Sequence, residues 1–230
     1  AADAKLGLAP SDSGIEGAAR LRRQGPRKIS KAPLRQNLFY AELMKETDMD
    51  PLAEFRAAVA DPASYVRSAT AKSGKKAVGT LCSYAPEELI YAAGAHPVRL
   101  FGTSGAGRLA DRHLQSYCCS LVRGVLEDAL AGRSDFLSGV VFPHTCDSIQ
   151  RLSDLWRLNV PKPFHVDAVL PVKLDTASAR EYLLDVLRRF RSDLERELHV
   201  SISDEKLRKA IDLYNRIREM LARLYELRNE

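Results

Sequence analysis

An α/β fold with a parallel sheet of about four strands is predicted by three features of this 230-residue chain. Short apolar runs alternate with helical stretches between residues 77 and 170. That alternation argues parallel strands joined by right-handed crossovers. Two long amphipathic segments then close the chain, as helices rather than strands.

The elements follow in order. Residues 1–37 read as a basic flexible arm, and residues 38–72 as an N-terminal helical segment. Helix from about Leu38 to Val66 is broken near Asp50-Pro51 and Asp61-Pro62, because proline lacks the amide a helix interior needs. Lys72-Ser73-Gly74-Lys75-Lys76 is a polar loop into the core. Residues 73–174 make a Rossmann-like lobe. Its first strand is Ala77–Leu81, and Pro86 opens a helix over Glu87–Ala95. His96–Phe101 is the second strand and Leu109–Ala131 a longer helix. Gly139–Phe142, Ser148–Leu158 and Phe164–Leu170 supply strand, helix and strand.

Residues 175–230 form the two long helices, with Asp175 or Ser178 capping the first and Ser203 the second. In the second, Leu207, Ile211, Tyr214, Ile217, Leu221 and Leu224 recur every three or four residues as one apolar stripe. Such a helix either covers the sheet or leads into a second lobe, missing here or supplied by a partner. The chain begins without methionine, and a trimmed or partial polypeptide is expected.

Composition is ordinary for a globular protein, 45% hydrophobic and 28% charged. No stretch reaches the roughly 18–20 apolar residues of a membrane span, and the start lacks the apolar core of a secretory signal. A soluble, cytoplasmic protein is expected. The net charge of +5 is concentrated at the front: residues 1–38 hold eight basic and three acidic side chains, the whole excess. The remainder offers no basic face with interleaved aromatics, so nucleic acid is not an expected partner.

The cysteines carry the chemistry. Cys82, the pair Cys118-Cys119, and Cys146 fall in short motifs near predicted strand ends. In a reducing compartment they are inert buried thiols, redox groups or metal ligands. The paired spacing of a structural zinc site is missing. Cys82 follows the first strand and Cys146 the third, where open α/β sheets bind ligands. A long helix carrying Cys118-Cys119 past that crevice would bring three thiolates to one site.

The stretches Cys82-Ser83-Tyr84-Ala85-Pro86-Glu87-Glu88-Leu89-Ile90-Tyr91-Ala92-Ala93-Gly94, Leu114-Gln115-Ser116-Tyr117-Cys118-Cys119-Ser120 and Phe142-Pro143-His144-Thr145-Cys146-Asp147-Ser148, with Leu152-Ser153-Asp154-Leu155-Trp156 after them, carry a resemblance. Together they resemble the benzoyl-CoA reductase/2-hydroxyacyl-CoA dehydratase family, over about residues 77–230. The second motif looks closest to the benzoyl-CoA reductase side. The resemblance implies a subunit with a [4Fe-4S] cluster at the interface with a homologous sister subunit. A separate ATP-hydrolysing iron–sulfur activator would deliver low-potential electrons. The substrate would be an acyl-CoA thioester, whose aromatic ring is reduced or from which water is removed. Consistent with this, the chain has no G-x-x-x-x-G-K-[ST] loop and so no expected ATP site of its own. Gly102-Thr103-Ser104-Gly105-Ala106-Gly107 reads as a connection rather than a phosphate cradle.

Carried over residue by residue, Cys82 matches the first cluster ligand and Cys119 the second, leaving Cys118 as a packed neighbour. Cys146 stands as a third ligand, a pocket residue, or one member of a set completed by a further lobe. His144 is the candidate proton donor, against the plainer role of bonding a nearby carbonyl. Tyr84, Glu88 and Trp156 are candidates to line an acyl pocket. Large aromatics near a sheet edge are also ordinary core, and Glu87 and Glu88 suit a helix start by charge alone. Asp147 reads as a helix cap. Against the catalytic reading stands an α/β module that keeps only the scaffold and serves assembly.

Overall fold

Each of the four strands is only four residues long, and all pair in parallel. The computed structural model describes residues 52–102, 108–160 and 164–228. The strands are β1 (Ala77–Thr80), β2 (His96–Arg99), β3 (Gly139–Phe142) and β4 (Phe164–Asp167), in the spatial order β2-β1-β3-β4. Seven α-helices accompany them among the described residues: α1 (Ala53–Ala60), α2 (Pro62–Ser73), α3 (Glu87–Ala92), α4 (Ser120–Leu130), α5 (Asp147–Asn159), α6 (Ala177–Leu198) and α7 (Asp204–Leu227). The predicted arm, the helix over residues 38–51 and most of the glycine-rich connection lie outside the described residues.

Such short strands hold because both faces are covered. Along β3 the residues alternate: Val140 and Phe142 join Val122, Leu126, Leu152 and Trp156 of α4 and α5. Val141 turns to the opposite face, with Val78, Ile90, Phe190 and Leu194 from β1, α3 and α6. Gly139 opens β3 because nothing larger fits. A Cβ there would lie 2.0 Å from Cζ of Phe164 on the neighbouring strand.

The break at Asp61-Pro62 is a helix start as well as a stop. The Asp61 carboxylate accepts the Ser64 amide at 2.9 Å, and Pro62 takes the first turn, where its missing N–H is not needed. Helix α2 then runs to Ser73, into the residues predicted as loop, and Gly74 ends it at φ +67°. Thr176 caps α6 in place of Asp175 or Ser178, and Ser203 caps α7 as expected.

The helix predicted over Leu109–Ala131 is two elements. A single 3₁₀ turn at Ala110–Arg112 and an irregular loop precede α4, which begins only at Ser120. Side chains from α4 bind the backbone of this stretch. Glu127 Oε2 accepts the Leu109 and Ala110 amides, each at 2.8 Å. Arg123 Nε donates to the Cys118 carbonyl at 3.2 Å. Leu114 and Cys118 turn into the core from this loop.

The apolar stripe of α7 is covered in its first part only. Ala210 is buried, and Tyr214 stacks edge-on against Tyr91 of α3 at 6.1 Å between centroids. Burial beside Glu87 and Glu88 pushes the Tyr214 hydroxyl above its usual pKa. Leu221 and Leu224 remain exposed.

Candidate functional site

From β1 the chain crosses to β2 on one side, whereas β3 and β4 lie on the other. The direction of winding therefore switches between β1 and β3. The carboxyl ends of two strands diverging in this way leave the crevice where α/β folds bind ligands. Cys82 lies two residues beyond β1 and Cys146 four residues beyond β3, flanking that crevice. Helix α4 leads back toward the start of β3, so its first turn belongs to the same edge. Cys119 is its N-cap, and Cys146 is the N-cap of α5 beside it.

Two residues at this edge hold left-handed backbone, Cys82 at φ +55° and His144 at φ +47°. Neither is glycine, and such conformations cost on the order of 1 kcal/mol or more. They occur just beyond the carboxyl ends of adjacent strands, β1 and β3.

Cys119 and Cys146 are exposed, Cys82 is half-buried against the α4/α5 core, and Cys118 is buried. Among the described residues no three His, Cys, Asp or Glu side chains are gathered into a metal-holding group. Cys82 and Cys146 thus follow neighbouring strands, and among the described residues the thiols do not close on a single point. Their chemistry nevertheless fits an iron–sulfur group. Neither cap cysteine uses its side chain to bond its own helix, so both sulfurs stay uncommitted. The first amides of a helix have no partner within it, and thiolates with nearby amide donors are the usual setting of such clusters.

Beside the cysteines lies a polar network that the sequence reading missed apart from His144. Ser153 Oγ donates to Asp167 Oδ1 at 2.6 Å. Having only one proton, this hydroxyl must accept from His165 Nε2, 2.7 Å away. His144 Nε2 donates to the same Asp167 oxygen at 2.7 Å. The network therefore converges on one carboxylate, and His144 keeps Nδ1 as its nitrogen with an unused lone pair. Burial pushes His165 below its usual value of 6.5; Asp167 opposes the shift, while Arg157 and His144 add to it. A histidine and an aspartate two apart on one strand, His165 and Asp167, share a face, and that spacing was the available signal. Arg123 was also missed; through the Cys118 carbonyl it positions the peptide leading into Cys119.

The three candidate pocket residues are dispersed. Tyr84 stands exposed after β1. Glu88 pairs with Arg218 of α7, on the far face of the sheet. Trp156 is wholly buried, its ring 5.7 Å from that of Phe142, so it is core rather than pocket wall. Asp147 is the first residue of α5, not its cap.

Known proteins place this edge in context. Residues 82–230 match the family described as 2-hydroxyglutaryl-CoA dehydratase, D-component. The (R)-phenyllactyl-CoA dehydratase beta subunit of Clostridium sporogenes is 30% identical over 168 residues, 73% of this chain and 45% of that protein. A benzoyl-CoA reductase subunit of Thauera aromatica is 31% identical, over 69% of this chain and 42% of its own length. The beta subunit of (R)-2-hydroxyglutaryl-CoA dehydratase from Acidaminococcus fermentans is 28% identical, over 78% and 48% respectively. The chain thus spans under half the length of each of these relatives. No described helix is long and apolar enough to cross a membrane. With the match starting at Cys82 and running to the last residue, the chain belongs to the 2-hydroxyglutaryl-CoA dehydratase D-component family, which embraces subunits of benzoyl-CoA reductase and 2-hydroxyacyl-CoA dehydratases.

Proposed function

We propose that this chain is the cluster-bearing part of a cytoplasmic enzyme subunit that acts on acyl-CoA thioesters, with benzoyl-CoA ring reduction as its reaction. What supports the proposal is placement along the chain: Cys82 follows β1 and Cys146 follows β3, on either side of the switch, and Cys119 and Cys146 precede the first turns of α4 and α5. These three would hold a [4Fe-4S] group, completed by a ligand from a further lobe or a sister subunit. When bound, such a group supplies single electrons at low potential. His144, held through Nε2 by Asp167, would take up a proton from solvent at Nδ1 and pass it to the reduced acyl group. Ser153 and His165 hold Asp167 in place from the other side. ATP hydrolysis is left to a separate iron–sulfur activator.

Dehydration of a 2-hydroxyacyl-CoA is the second reading, favoured by the description of the matched family and by the dehydratase subunits among its relatives. The two readings share cluster and edge and differ in substrate. Anaerobic reconstitution is expected to yield brown protein with about four irons per chain. Assays with benzoyl-CoA and with a 2-hydroxyacyl-CoA, each with partner subunit, activator and reductant, then distinguish them. Colourless, iron-free protein after reconstitution removes both.

A further inference from the structure

A second concavity lies apart from the cysteine edge and shares none of its residues. It is a cavity of about 380 Å³ on the outer side of β2, between the start of α2 and the end of α4. That volume falls within the range of small-molecule sites. Its walls are mainly apolar, from Pro62, Val98, Leu100, Val125 and Phe136, with Phe101 standing exposed at the margin.

The polar groups are few and of one kind. Arg67, Arg99 and Arg133 all reach the cavity. The Arg67 guanidinium lies over the Phe136 ring, 5.6 Å from its centroid, and has no carboxylate partner among the described residues. It therefore lies within cation–π reach of one ring. Arg99 meets Glu87 only at 3.5 Å, in a solvent-exposed pair of the sort that contributes little. Arg133 is neutralised by Asp128, 2.8 Å away, which itself lines the cavity and can accept from an amine. Ser134 is nearly buried here, with its hydroxyl free of any described partner.

A guanidinium beside one aromatic ring, a second ring at the margin, a carboxylate acceptor and further arginines together suit a planar base that carries phosphate. Bases stack on arginine planes and aromatic rings alike, and arginine pairs with phosphate through parallel N–H donors. We propose that this cavity is a purine-nucleotide site: the base lies against Arg67 and Phe101, its amine bonds Asp128, and its phosphate is drawn to Arg99. Free nucleotide and the nucleotide end of CoA share this chemistry.

Calorimetric titration of the full 230-residue chain with AMP, CoA, inorganic phosphate and benzoate tests it. AMP is expected to bind saturably. CoA competes with it if its nucleotide end is a source, and fails to bind if only free nucleotide enters; either result supports the site. Arg67→Ala is expected to weaken AMP binding at least about tenfold. Phe136→Leu, which keeps the core apolar, is expected to weaken it about threefold and serves if Arg67→Ala fails to fold. Cys119→Ser is expected to bind as the parent does, so failure of iron loading and failure of this site are separable. Absence of saturable AMP binding, or AMP affinity unchanged in both cavity variants, overturns the proposal. Binding of benzoate or phosphate without AMP overturns the purine assignment.

Discussion

Helices α6 and α7 begin in the ordinary way, whereas α4 and α5 do not. Thr176 Oγ1 and Ser203 Oγ each accept an amide of the first turn at 3.2 Å. Cys119 and Cys146 occupy the equivalent positions of α4 and α5 and form no such bond. A good N-cap contributes about 1 kcal/mol over a residue that cannot cap. The two helices at the crevice forgo that stabilisation, and the two conventional caps belong to helices packed on the opposite face. The cap positions of α6 and α7 thus serve stability, while those of α4 and α5 are occupied by cysteines that make no cap bond.

The contrast breaks most sharply if the thiols can be replaced without consequence. Cys119→Ser and Cys146→Ser are each expected to reduce iron from about four per chain to below about one after anaerobic reconstitution, by metal assay. Full retention of iron in both would reduce these cysteines to poor caps. The scaffold on which the comparison rests is tested by Gly139→Ala. Its methyl would enter the Phe164 ring, and the expected loss is about 3 kcal/mol in urea unfolding, or failure to fold. Thr176→Ala and Ser203→Ala are expected to cost about 1 kcal/mol each while leaving iron loading untouched.

Acid provides a further test on the crevice side. His165 is held below 6.5 when folded, so the unfolded chain binds its proton more readily. Stability should therefore fall as pH drops below 6.5 toward the folded value, and His165→Gln should flatten that slope in thermal melts. Smallest is a gain: serine at position 119 or 146 can cap, so each iron-free variant should melt slightly later than the parent, by up to about 1 kcal/mol.

The sheet was legible because its signals are local. Four short apolar runs, each bounded by turn residues, marked β1 to β4 to within a few residues, and Asp61-Pro62 marked a true helix boundary. The loop before α4 was not legible. Residues 109–119 have acceptable helix composition, and the side chains that hold their irregular backbone, Glu127 and Arg123, come from farther along the chain. Such long-range satisfaction leaves no periodic trace. At the site, the cysteines were visible as residue types, whereas Asp167, Ser153 and His165 become a unit only when β4 is laid beside α5. Trp156 was assigned to a pocket because aromatic residues suit both surface and interior; its neighbours Phe142 and Leu152 decide for the interior.

The clamp formed by Glu127 and Arg123 has a consequence in time as well as in space. Arg123 lies in the first turn of α4 and Glu127 nearer its end, so both grip residues 109–118 only once that helix is wound. The peptide that presents Cys119 is therefore fixed by a later part of the chain than itself. Ordering of residues 109–118 follows winding of the helix, and fraying of α4 would loosen the peptide that presents Cys119.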